Sequence, residues 1–127
     1  MDNSDNLSLT WDIRSIPTNI KMEIKELEKF IEEEIKKLER YYKEKGEEEL
    51  TLAMTAKMAE EMGELINEIL AHKGFQRKEK LENLNKEELE KEFTDVLVTA
   101  LILAKRFNIK IEEAIKKRID KLKSRKY

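Results

Sequence analysis

A chain of 127 residues, 39% hydrophobic and 43% charged, is sized for one core and too apolar for disorder, and 3 Gly, 1 Pro and 6% aromatics supply too little turn material for a β-sandwich. With no cysteine and one histidine, His72, a disulfide framework, a thiolate zinc site and paired-imidazole metal centres are excluded, so any metal must be held by oxygen. A net charge of -2, no apolar run near the ~20 residues of a membrane span and no basic-then-apolar leader argue against duplex nucleic acid and membrane partners, and for a cytoplasmic protein.

Residues 1–17 are polar with scattered Leu7, Leu9, Trp11 and Ile13 and read as an N-terminal arm, leaving 18–127 as a single helical domain. Thr18 and Asn19 offer a cap after Pro17, and Ile20, Ile24, Leu27, Ile31, Ile35, Leu38 and Tyr42 recur at steps of three and four. This predicts a first helix from Thr18 to Lys45, with Gly46 as its C-terminal cap. Leu50, Ala53, Met54, Met58, Met62, Leu65, Ile66 and Ile69 predict a second amphipathic helix ending near Lys73 and Gly74. The charged, aperiodic stretch from Phe75 to Leu84 reads as a loop. Asn85 followed by Glu88 is a capping pattern for a third helix carried by Leu89, Phe93, Val96, Leu97, Ala100, Leu103, Ala104 and Phe107, which Asn108 can close. From Ile109 to Arg125 a shorter fourth helix is predicted, with Ile111, Ile115, Ile119 and Leu122 inward. The expected fold class is all-α, an antiparallel four-helix bundle whose wide apolar stripes predict a homodimer or homotetramer.

Most glutamate runs, such as Glu32–Glu34, Glu47–Glu49 and Glu87–Glu88, fit solvated faces or first helical turns. Glu61, Glu64 and Glu68 do not fit so simply. Their three- and four-residue steps put them on one face beside Met62, Leu65 and Ile69, with Lys57, four residues before Glu61, as the only nearby cation of the helix. In the third helix Glu92 and Asp95 interrupt an otherwise apolar run. If the two helices pair antiparallel, Glu61, Glu64, Glu92 and Asp95 converge, and four carboxylates at close range need a cation. Oxygen-only ligation points to Mg²⁺ or Mn²⁺. Gly63, which costs about 1 kcal/mol in a helix relative to Ala, suggests a close approach of the neighbouring helix. The competing reading is two carboxylate pairs bonded to Lys or Arg at the edge of the core.

Glu60-Glu61-Met62-Gly63-Glu64, then 27 residues, then Glu92-Phe93-Thr94-Asp95 resembles the EExxE…ExxD signature of the MazG-like, all-α nucleoside triphosphate pyrophosphohydrolases. The surrounding Lys57-Met58-Ala59, the Asp95-Val96-Leu97 step, and the segments Ala104–Ile109 and Glu112–Ile115 are similar to the family as well, so the resemblance covers Leu50 to Tyr127. It implies Mg²⁺ held by Glu61, Glu64, Glu92 and Asp95, a nucleoside triphosphate substrate, and cleavage of its α-β phosphoanhydride to a monophosphate and pyrophosphate. Glu60 is the candidate general base or water-orienting group, although it sits about 100° around the helix from Glu61 and equally suits a solvent-facing position.

A triphosphate also needs cations, and residues 105–127 hold ten Lys and Arg against three acids. The family often ends in a Lys, an Asn four residues on, and an Arg-Tyr that contact phosphates. Aligned on Ala114-Ile115, those positions hold Arg118, Leu122 and Arg125; charge is kept at two of them, and Leu122 departs from the pattern. Lys57 and Lys121 are further phosphate-binding candidates, and Asn67, one turn beyond Glu64, is a candidate for reading a base or sugar edge. Trp11, Phe30, Tyr41, Tyr42 and Phe75 have rings that can stack on a base, though aromatics at helical spacing are usually core. His72 reads as an exposed helix-end residue. No pattern chooses among bases. A nucleotide-binding family member without turnover and a purely structural bundle remain as alternatives.

Overall fold

The computed structural model describes residues 20–127, and every regular element among them is helical: α1 (Ile24–Tyr41), α2 (Glu47–His72), α3 (Lys78–Glu82), α4 (Lys86–Arg106) and α5 (Ile111–Lys123). The arm and the Thr18–Asn19 cap lie outside the described residues.

Helix boundaries follow local chemistry. Gly46 starts α2 rather than ending α1: it is the extended N-cap residue (φ -70, ψ 161), and the C-cap of α1 is Tyr42. The reason is the acidic triplet Glu47–Glu49, which places negative charge where the exposed N–H groups of a first turn carry positive partial charge. At the other end of α2, Gly74 takes a left-handed conformation (φ 82) that lets its N–H reach Ala71 O at 2.9 Å and that of Phe75 reach Leu70 O at 2.8 Å. Asn108 (φ 56) closes α4 in the same way, with its N–H on Lys105 O and that of Ile109 on Ala104 O. The Asn85 side chain caps α4 by accepting from the Glu87 N–H at 2.8 Å, as its position in the sequence suggests. The stretch expected to be a loop contains the one-turn helix α3, too short to show a period of its own.

Helices α2 and α4 form the main antiparallel pair, and α1 packs across α4. Their register is pinned by Arg106, which donates through Nε to Thr51 Oγ1 and through Nη2 to Glu47 O, both at 2.9 Å. Ile31, Leu50, Met54, Leu101, Ile102 and Ile111 form the core, with Ile24, Leu27, Ile35, Leu38, Val98, Leu103 and Ala104 packed against it. Several residues expected inward are not. Met62, Ile66 and Ile69 of α2 and Phe93, Leu97 and Phe107 of α4 are exposed, and in α5 only Ile111 is buried while Ile115, Ile119 and Leu122 face solvent. Each of these residues lies on an amphipathic stripe, but the described helices are too few to cover every stripe they make. No helix among the described residues is long and apolar enough to cross a membrane.

Candidate metal centre

The antiparallel register sets Glu61, in the middle of α2, against Glu92 and Asp95 of α4. One carboxylate oxygen from each lies within 4.8 Å of the others. Glu61 and Glu92 are buried, 7% and 5% exposed, and Asp95 is half-buried. Two lysines partly neutralise the cluster. Lys57 Nζ lies 3.1 Å from Glu61 Oε1 and 3.3 Å from Glu60 Oε1, and Lys91 Nζ lies 3.1 Å from Asp95 Oδ2 and 3.4 Å from Glu92 Oε1. Hydrogen bonds to Glu61 and Glu60 raise the Lys57 pKa above the usual amine value, and the bond to Asp95 does the same for Lys91.

The lysines do not satisfy everything. Glu61 Oε2 and Glu92 Oε2 are buried without a hydrogen-bond partner. A buried charged oxygen left unpaired costs several kcal/mol, so these two are chemically suited to a cation. A group made of hard carboxylate oxygens, with no imidazole or thiol in it, suits Mg²⁺ or Mn²⁺. Glu64 is exposed on the next turn of α2 and is not one of the three converging groups. It nevertheless feels them: partial desolvation, then repulsion from Glu61, Glu92 and Glu60, pushes its pKa up from the usual carboxylate value.

The profile of the MazG nucleotide pyrophosphohydrolase domain matches residues 49–127, which spans α2 to the end of the chain and contains every one of these carboxylates. The chain belongs to the MazG nucleotide pyrophosphohydrolase family. No curated protein and no solved structure matches it significantly. MazG proteins are generally dependent on a divalent metal, and the carboxylate cluster is the feature of this member that fits one.

The remaining candidates are dispersed in this MazG chain. Glu60 is exposed and paired with Lys57. Asn67 is engaged: its Oδ1 accepts from Gln76 Nε2 at 3.1 Å, tying α2 to the segment before α3. Arg118, Lys121 and Arg125 are exposed on α5 and just beyond it, and the cations that pair with the cluster are Lys57 and Lys91 instead. Lys91 was legible as a residue four before Asp95 and adjacent to Glu92, a spacing that brings the side chains together. The relief for Glu68, 4% exposed, comes from Lys80 of α3, with His72 Nε2 3.9 Å from its other oxygen. His72 is therefore not an exposed helix-end residue: its side chain is 14% exposed and its Nε2 is buried. The close helix approach expected at Gly63 does not occur among the described residues, because a Cβ added there meets nothing within 4 Å.

Proposed function

We propose that this MazG protein is a Mg²⁺-dependent nucleotide pyrophosphohydrolase that cleaves the α-β phosphoanhydride of a nucleoside triphosphate, with a house-cleaning or pool-balancing role. The reading rests on the unpartnered buried oxygens of Glu61 and Glu92, converging with Asp95 in a chain of this family. Glu61, Glu92 and Asp95 would hold the metal, with Glu64 joining them by a change of side-chain rotamer; Mn²⁺ suits the same ligands. When bound, the metal neutralises charge on the phosphate oxygens and acidifies water. The side chains do the rest. Lys57 and Lys91, paired with these carboxylates here, would supply the ammonium groups that bind phosphate oxygens. Glu60, beside Lys57, would orient the attacking water or take its proton. Water adds to the α-phosphorus, the α-β bridging oxygen leaves with pyrophosphate, and the nucleoside monophosphate remains.

Arg118, Lys121, Arg125 and Asn67 are proposed as the outer phosphate and sugar contacts. For the α5 residues this fits a homodimer or homotetramer in which a second copy completes the site. The solvent-facing stripe of Met62, Ile66, Ile69, Phe93 and Leu97 borders the carboxylates on both helices and supports such a contact, which would also build the four-helix bundle from two α2/α4 pairs.

The test is pyrophosphate release from a panel of nucleoside triphosphates with Mg²⁺ or Mn²⁺, with Glu64→Ala as control. Metal-dependent release that disappears in the control is the expected result. Binding without release from any nucleotide would favour the second reading, a nucleotide-binding or regulatory protein, for which Leu122 at a polar position of the family is the specific observation.

A further inference from the structure

A cleft of about 480 Å³ lies between α1 and the α2/α4 pair, with Glu34 and Leu38 of α1, its C-cap residue Tyr42, Met54 and Lys57 of α2, and Thr99 of α4 in its walls. Lys57 joins this cleft to the carboxylate cluster: it lines the cleft, and its ammonium lies 3.1 Å from Glu61 Oε1. Met54 is buried and Leu38 half-buried, which makes the inner wall apolar, whereas Tyr42 and Glu34 keep polar atoms within reach of solvent. Thr99 donates its hydroxyl to Asp95 O at 2.7 Å and so offers the cleft no free proton. Glu34 has spare capacity. Its Oε1 takes Lys37 Nζ at 2.7 Å, and Oε2 remains as an acceptor. Along α2 the seven residues from Glu61 back to Met54 span about 10 Å, the length of a nucleoside monophosphate from phosphorus to the far edge of the base.

We propose, building on the hydrolase reading, that this cleft seats the nucleoside half of the substrate, with Tyr42 stacking on the base and Glu34 selecting bases that carry an amino group. An ionised carboxylate only accepts hydrogen bonds. Guanine presents two adjacent donors, its ring N–H and its amino group, which Oε2 and the second acceptor site of Oε1 can take together while Lys37 stays on Oε1. Cytosine and adenine each present an amino donor. Uracil and thymine present one N–H flanked by two carbonyl oxygens, which a carboxylate repels. The order of preference is therefore guanine first, cytosine and adenine next, uracil and thymine last. Tyr42 contributes affinity to all of them, since any base offers a π-face to an aromatic ring.

The experiment pairs calorimetric binding of dGMP, dCMP and dUMP in the presence of Mg²⁺ with pyrophosphate release from the corresponding triphosphates. It uses the full chain, Glu34→Gln and Tyr42→Ala, with circular dichroism to establish that both variants are folded. Wild-type protein should bind dGMP at least tenfold more tightly than dUMP. Glu34→Gln, whose amide can both donate and accept, should compress that ratio to about threefold or less. Tyr42→Ala should weaken all three by about tenfold. A preference for dUMP, a ranking unchanged by Glu34→Gln, or no monophosphate binding at all would overturn the proposal. Glu34-dependent discrimination in binding with no hydrolysis of any triphosphate would instead remove the hydrolase reading and leave the base-selecting cleft standing.

Discussion

Replacing Glu92 by Gln separates a metal site from a structural salt-bridge cluster. At an effective dielectric of about 20, the ionised Glu61 and Glu92, whose nearest oxygens are at most 4.8 Å apart, repel by about 3.5 kcal/mol. The amide removes that repulsion and can donate to the unpartnered Glu61 Oε2, while the solvent-exposed contact with Lys91 is lost at little cost. After screening at the open side of the cluster, a net stabilisation of about 1–2 kcal/mol is expected for the metal-free protein. For 127 residues the unfolding entropy is about 0.27 kcal/mol per degree, so Tm should rise by about 4–7 °C. Mg²⁺ at a hundred times its Kd adds about 2.7 kcal/mol to the wild-type protein, about 10 °C in Tm, and should add close to nothing to the variant. Differential scanning fluorimetry with EDTA and with Mg²⁺ reads both effects. Equal Mg²⁺ shifts in wild type and variant, or a variant destabilised without metal, would falsify the assignment of Glu92 to a metal site.

Four further outcomes follow from particular contacts. Lys80→Ala should destabilise the fold by about 1–3 kcal/mol in urea titration, because Glu68 is left buried without its ammonium partner, and adding Glu68→Gln should recover part of the loss. The raised Glu64 pKa gives a signed pH dependence: metal-free stability should fall as pH rises from 4.5 through that raised value, since the folded state holds the proton more tightly there. Metal affinity should move the opposite way, weakening as acid protonates Glu64; Tm against pH for wild type and Glu64→Gln, with and without Mg²⁺, checks both signs. Gly63→Ala should stabilise an isolated chain by about 0.8–1 kcal/mol, because the added methyl meets open space, and a lower urea midpoint in the assembled protein would mean that a second copy covers this turn. Phe93→Lys with Leu97→Lys should shift the protein to monomers in sedimentation velocity, and an unchanged sedimentation coefficient would place any subunit contact elsewhere.

Helix existence, the Asn85 cap, the closures at Gly74 and Asn108 and the pairing of Glu61 with Glu92 and Asp95 could all be read from the chain. The helices and their caps depend on interactions within one turn or on a period repeated over several turns, and such signals are written locally, whereas the carboxylate pairing follows only once the two helices are taken as antiparallel, and Glu64, expected in it, stands outside the converging three. Gly46 opens a helix rather than closing one, which its own identity does not tell: glycine serves at either kind of helix end, and only the acidic triplet after it tips the balance. The one-turn α3, the capture of Glu68 by Lys80 and the covering of His72 were not legible, since they join residues from separate elements at no fixed spacing. Tertiary structure alone decided which apolar stripes are buried. Ile31, Leu101 and Ile111 meet in the core, whereas Phe93 and Ile119, equally apolar and equally well spaced, face solvent. Periodicity states that a stripe exists; which partner helix covers it depends on how many helices the fold brings to that side.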